Sequence, residues 1–207
     1  MKTTTLSTTM LRAAGLMGLF VVVSVGLLVA VNSFTQPKIA EVERQVMLNT
    51  LNQVMPTRYY NNNLIEDMTW VTAPDALGTT QPMPIYRARL DGEPAGLVIE
   101  TIAPDGYSGN IHLLMGVFAD GRIAGVRVLS HRETPGLGDK IELRKDNWIL
   151  SFNGRQLTKD NAHTWAVKRD RGDFEQFTGA TITPRAVINA VKHTLDYVNL
   201  QGVRLYE

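Results

Sequence analysis

Three hydroxyls and a glycine stand within six residues at Thr178-Gly179-Ala180-Thr181-Ile182-Thr183, directly ahead of Pro184. Such a cluster can hold an anion. Thr183 is expected to cap a helix by accepting an early backbone N–H, and Pro184 suits the first helical position, where an N–H has no partner anyway. An apolar stripe at Val187, Val191, Leu195 and Val198 continues the helix, and Gly202 lies past its end. The start of that helix combines unpaired N–H groups with the positive end of the dipole, which suits a phosphate. Gly179 and Ala180 allow close approach of a ligand to the backbone. The plain alternative, a capped helix after a loop, uses the same residues.

A second stretch, His131-Arg132-Glu133-Thr134-Pro135-Gly136-Leu137-Gly138-Asp139-Lys140-Ile141, has turn chemistry of its own. One proline and two glycines make turns, and Asp139 can cap a following helix. Read alone, it is a loop leading into a helix, with His131 a surface histidine.

Taken together, the two stretches resemble a known family. Thr178-Gly179-Ala180-Thr181 is similar to the Ser/Thr-Gly-Ala-Thr signature of FMN-binding domains in bacterial electron-transport complexes, and Glu133-Thr134-Pro135-Gly136-Leu137-Gly138 resembles a second loop of that family. Within the family, Phe174 to Val187 and the His131 loop are most like the G subunits of Rnf (Rsx) complexes. The C subunits of sodium-pumping NADH:quinone oxidoreductases are cousins. The resemblance implies FMN esterified through its phosphate to Thr181, with Thr178, Gly179, Ala180 and Thr183 around the phosphate. It also implies that Glu133, Thr134, Gly136, Leu137 and Gly138 pack against the isoalloxazine, the glycines letting backbone amides approach. Relatives carry Asp six residues before the modified threonine; here Glu175 stands there, with Asp173 two residues further back. The implied function is electron transfer between ferredoxin and NAD, coupled to ion movement. The implied partners are other membrane subunits and a flavin-attaching transferase. Arg132 and Lys140 would favour an anionic reduced flavin by Coulomb attraction.

The elements that must position these stretches are read from pattern. Tyr86–Leu90 alternates, Asp91-Gly92 makes a hairpin turn, and Gly96–Ile102 is β-branched. After a loop at Pro104–Gly109 come Ile111–Phe118, an Asp120-Gly121 turn and Ile123–Ser130. Hairpins in sequence imply antiparallel pairing. Trp148–Phe152 reads as a strand or a helix end, and Lys168–Asp173 as a solvated charged loop. The expected fold is α+β: one N-terminal transmembrane helix, then an FMN-binding domain whose twisted antiparallel sheet is flanked by helices.

Composition bounds the rest. The formal charge of +1 gives no argument for nucleic acid, and zero cysteines exclude disulfides, thiolate-held iron–sulfur clusters and zinc–cysteine sites on this chain. No metal site is expected. Ala13 to Val31 is a charge-free run of 19 residues, close to the roughly 20 that span a bilayer. A cleaved signal would have a shorter apolar core and a better small-residue site than Ala30-Val31-Asn32-Ser33. Lys2 and Arg12 lie on one flank, Lys38 and Arg44 on the other. With a single anchor before a long polar domain, residues 13–31 are expected to cross a bacterial inner membrane once, leaving the C-terminal domain periplasmic. Pro37 to Val54 is amphipathic, either a stalk or a helix packed on the domain. Leu64 to Pro84 has little period and reads as a connection with short elements. The expected divisions are 1–35 tail and anchor, 36–84 stalk and connection, and 85–207 FMN-binding domain. The competing functional readings are an extracytoplasmic flavin sensor and a non-redox structural component.

Overall fold

A computed structural model describes residues 3–207; Lys2, one of the basic flank residues, lies outside the described residues. The chain forms two compact units, the first ending at Met47 and the second running Leu48–Glu207. Helix α1, Thr3–Val54, accounts for all the described residues of the first unit and for the first residues of the second. Its N-terminal part is long and apolar enough to cross a membrane, with a window of mean hydropathy 2.6 and none of that window buried. The charge-free run of 19 residues, 13–31, extends about 28 Å as a helix at 1.5 Å per residue, close to the hydrocarbon thickness.

The second unit is built on five strands: β1 Met68–Val71, β2 Met83–Leu90, β3 Glu93–Ala103, β4 Ile111–Phe118 and β5 Ile123–Ser130. They pair in chain order, and every pair is antiparallel. The expected α+β architecture with an antiparallel sheet is the one observed. Asp91 and Gly92 both take positive φ, 53° and 87°, as a two-residue type I′ hairpin loop requires. β2 and β3 begin three residues before their expected starts at Tyr86 and Gly96, each taking in a proline. Pro84 pairs with Trp70 of the edge strand β1, and Pro94 sits at the bulge between Ala88 and Arg89, where a missing N–H is tolerated.

Each sheet face has its own core. Ile85, Ile99, Leu113, Met115 and Val126 pack with Val187, Val191 and Leu195 of helix α3, Ile182–Gln201. Tyr86, Ala88, Val98 and Leu114 face the other way and pack with Leu51, Val54, Met55, Tyr60 and Leu64. The expected connection between residues 64 and 84 holds β1 and a single helical turn, α2, Pro74–Leu77. Asn147–Phe152 forms a 3-10 helix, capped by Asp146, whose side chain accepts from the Trp148 N–H at 2.8 Å.

The last turn of α1 reaches the sheet through two glycines. Gly116 and Gly125 face each other across β4 and β5, and a Cβ on Gly116 would lie 2.3 Å from the Val54 carbonyl oxygen. Both partners are backbone, so neither can swing away. Gly116→Ala should therefore destabilise by about 1–3 kcal/mol through overpacking. In detergent-purified full-length protein this is a fall in Tm of a few degrees; an unchanged Tm would refute the close approach.

Candidate functional site: a cavity between two glycine turns

The two motifs fold as two turns of one kind. In Thr134-Pro135-Gly136-Leu137 the Leu137 N–H donates to the Thr134 carbonyl at 3.1 Å, and Gly136 has φ 78°. In Phe177-Thr178-Gly179-Ala180 the Ala180 N–H donates to the Phe177 carbonyl at 3.1 Å, and Gly179 has φ 82°. Positive φ at the third position is the type II requirement, which only glycine meets without strain. The turns touch: a Cβ on Gly179 would lie 3.5 Å from a Leu137 methyl carbon.

Beneath them lies Glu133, 4% exposed. Its Oε1 accepts the Ser108 N–H at 2.9 Å, and its Oε2 accepts the Thr183 hydroxyl. Gly138 passes against this pair; a Cβ there would sit 2.9 Å from both Glu133 Oε2 and Thr183 Oγ1. Above is a cavity of about 330 Å³ lined by Tyr107, Glu133, Thr134, Leu137, Gly138, Gly179, Ala180, Thr181, Ile182 and Thr183. That volume lies at the lower end of the range for small-ligand sites, roughly 300–1,000 Å³.

Eight of the ten expected site residues thus line one cavity. Thr178 and Gly136 do not; both are exposed and serve the turns beside it. Thr183 is not the cap. Helix α3 begins at Ile182, so Thr181 holds the N-cap position, and it makes no side-chain capping bond. Thr183 lies inside the helix, and Glu133, fifty residues away in sequence, takes its hydroxyl. Asp139 likewise caps no α-helix. It lies in a 3-10 turn, Gly138–Ile141, and its Oδ1 accepts the Gly136 N–H at 2.7 Å. The amides of Leu137, Gly138 and Asp139 all donate to the Thr134 carbonyl, at 3.1, 3.0 and 3.4 Å. The loop therefore presents side chains and Cα surface to the cavity, with those amides already spent. Tyr107 and Ile182 were not anticipated. Tyr107 is 68% exposed at the cavity mouth, and an aromatic in a glycine-flanked loop is the one signal that pointed to it.

The charges of the segment that leads into Thr178 are paired. Lys168, in the expected charged loop, pairs with Glu175; Arg155 pairs with Asp173 at 3.1 Å; and Arg185 grips Asp170 through two bonds of 2.6 and 2.7 Å. Arg132 is exposed and Lys140 half-buried, and neither lines the cavity. His131 is no surface histidine, its side chain being 10% exposed. Its Nδ1 accepts the Glu133 N–H at 3.0 Å, which leaves the ring proton on Nε2 facing Glu142 Oε1 at 2.6 Å. Arg144 bonds the same carboxylate. The Arg144 bond first, and the His131 bond after it, hold the Glu142 carboxyl below the usual range against the opposing effect of burial. The unfolded chain therefore takes up this proton more readily than the folded one. The stabilisation is complete above the ordinary glutamate value of about 4.3 and is lost as pH falls through the lower folded value. Glu142→Gln should flatten the acid limb of a Tm-against-pH curve below about pH 4.3; an identical limb would disprove the assignment.

Similarity to other proteins agrees with this geometry. The family model of the FMN-binding domain matches residues 106–196, and that of the RnfG N-terminal region matches residues 1–54. The G subunit of an ion-translocating oxidoreductase complex of Vibrio cholerae is 50% identical over 96% of this chain and 95% of its own length. The G subunit from Vibrio parahaemolyticus is 50% identical over 92% and 90%. That of Shewanella amazonensis is 51% identical over 87% and 84%. Identity at this level, spanning both the apolar helix and the domain that carries the cavity, means that the chain belongs to the family of G subunits of ion-translocating oxidoreductase complexes.

Proposed function

We propose that this chain is the electron-transfer subunit of an ion-translocating oxidoreductase complex of the ferredoxin:NAD type, carrying FMN bonded covalently to Thr181. The observation that carries this reading is the state of the hydroxyls. Thr183 is buried and bonded to Glu133, Thr178 lies outside the cavity, and Thr181 lines it at the start of α3 with no capping bond.

The residues fit the group. The first amides of α3 have no partner within the helix and, with its dipole, suit a phosphate. Leu137, Ile182 and Tyr107 give the cavity exposed apolar surface of the kind a flavin ring covers. Thr134, Gly138, Gly179 and Ala180 complete the wall. FMN, when bound, supplies electron chemistry that no side chain here offers. The chain's own task is to hold the cofactor in one place and shield one side of it. A covalent tether prevents its loss in the periplasm, where we place the C-terminal unit behind a single inner-membrane helix. Assembly then needs two kinds of partner: the membrane subunits of the complex and a transferase that attaches the flavin.

The test is mass spectrometry of protein purified from its native membrane. One FMN phosphoryl addition is expected, mapping to the peptide that holds Thr181. An unmodified mass, or a modified peptide elsewhere, refutes the reading.

A further inference from the structure

Glu133, in the loop after β5, buries its carboxyl group under the cavity and touches two other segments. Its Oε1 holds the Ser108 N–H, so it fixes the loop that carries Tyr107. Its Oε2 holds the Thr183 hydroxyl, so it fixes the first turn of α3. Its own backbone N–H is held by His131. The close steric fit of Gly138 and of Gly106, whose Cβ would meet Glu133 Oε1 at 2.9 Å, leaves the carboxyl group little freedom. Both carboxyl oxygens are thus committed to protein donors before any cofactor arrives.

We infer that Glu133 is a positioning residue for the flavin rather than a ligand to it: one buried carboxylate that ties the Ser108 loop, the Thr134 loop and the start of α3 into a preformed cavity and places negative charge beside the ring. The inference rests on the flavin reading only for its second half. A buried acceptor that satisfies two donors is costly to remove, because each donor is left unpaired. Negative charge in a poorly solvated wall opposes the added negative charge of a reduced cofactor.

Glutamine and alanine separate these effects. In Glu133→Gln the amide oxygen can still accept from Ser108 while the amide nitrogen donates to the Thr183 oxygen, the hydroxyl turning from donor to acceptor. The knot survives and the charge is lost. In Glu133→Ala both are lost. The experiment measures two quantities in wild-type and variant proteins. The first is hydrogen exchange at the Ser108 amide, in a Thr181→Ala background that carries no tethered flavin. Protection should persist in Glu133→Gln and fall at least tenfold in Glu133→Ala. The second is the flavin midpoint potential of the native-membrane protein, which should rise in Glu133→Gln. Equal Ser108 exchange in all three proteins overturns the positioning role, and an unmoved potential in Glu133→Gln overturns the charge effect. If Glu133→Ala does not fold, the glutamine variant decides: lost Ser108 protection or an unmoved potential counts against the inference, while kept protection with a raised potential supports it. Colourless wild-type protein would defeat the flavin reading instead, and the exchange measurement would then judge the knot by itself.

Discussion

Thr181→Ala should give a protein that folds and melts like the wild type and carries no flavin after denaturation. The fold loses almost nothing, because Thr181 is only half-buried and its side chain makes no capping bond. Surface substitutions away from such features stay within about 0.5 kcal/mol. The flavin, by contrast, would lose the one atom to which the proposed bond is made, so the expected effect is complete. Thr183→Ala should do the reverse. It removes the hydroxyl partner of Glu133 inside the buried knot and should cost about 1–3 kcal/mol. The Thr181 oxygen remains, so the fluorescent band on a denaturing gel should persist. A fluorescent Thr181→Ala band would place the bond elsewhere. A colourless Thr183→Ala protein with native Tm would show that the attachment oxygen had been assigned to the wrong threonine.

The contrast between these two threonines shows where sequence reading ends. The hydroxyl cluster, its glycine and the helix after it are local features, and local turn chemistry found them. That the Thr183 hydroxyl is spent depends on Glu133 fifty residues earlier, and no window across residues 178–184 contains that partner. The hairpins were legible for the same local reason: Asp91-Gly92 and Asp120-Gly121 stand between runs with strand-like pattern. β1 was not, because Met68–Val71 is four residues long and its place is set by pairing with Met83–Tyr86 rather than by its own pattern. Trp148–Phe152 stayed ambiguous between strand and helix because an apolar run without period fits either, and the side chain of Asp146 settles it as a 3-10 turn. The first turn could be recognised from Pro135 and Gly136 and the second from Gly179, whereas their contact through Leu137 belongs to the tertiary fold alone.

That tertiary fold also has to hold the segment before the proposed attachment site still, and Trp148 packs directly against it. The indole meets Phe152 edge-on at 5.5 Å and Phe177 at 5.2 Å, and its Nε1–H donates to the Glu175 carbonyl at 2.8 Å. Phe152 in turn lies 4.7 Å from Phe174. Residues 174–177, which lead directly into Thr178, are therefore anchored by the buried rings of Phe174 and Phe177, by the indole bond to the Glu175 carbonyl, and by backbone bonds from the Phe174 N–H to Ala166 and from the Lys168 N–H to Phe174. Trp148→Ala should cost about 3–5 kcal/mol, the usual penalty for emptying a large aromatic site. For a domain of this size that is a fall in Tm of roughly 10 °C. It should also lower the flavin content of whatever folds, since the turn at Phe177–Ala180 loses its support. Trp148→Phe separates packing from hydrogen bonding. It keeps a ring against Phe177 and gives up the N–H, and the Glu175 carbonyl belongs to an exposed residue that water can reach. Its cost should be nearer 1 kcal/mol, with flavin content close to wild type. Melting curves and flavin-to-protein ratios on the two variants decide the matter. If Trp148→Ala melts within a degree or two of wild type, or if Trp148→Phe is as damaging as alanine, the aromatic cluster is not what holds the attachment segment in place.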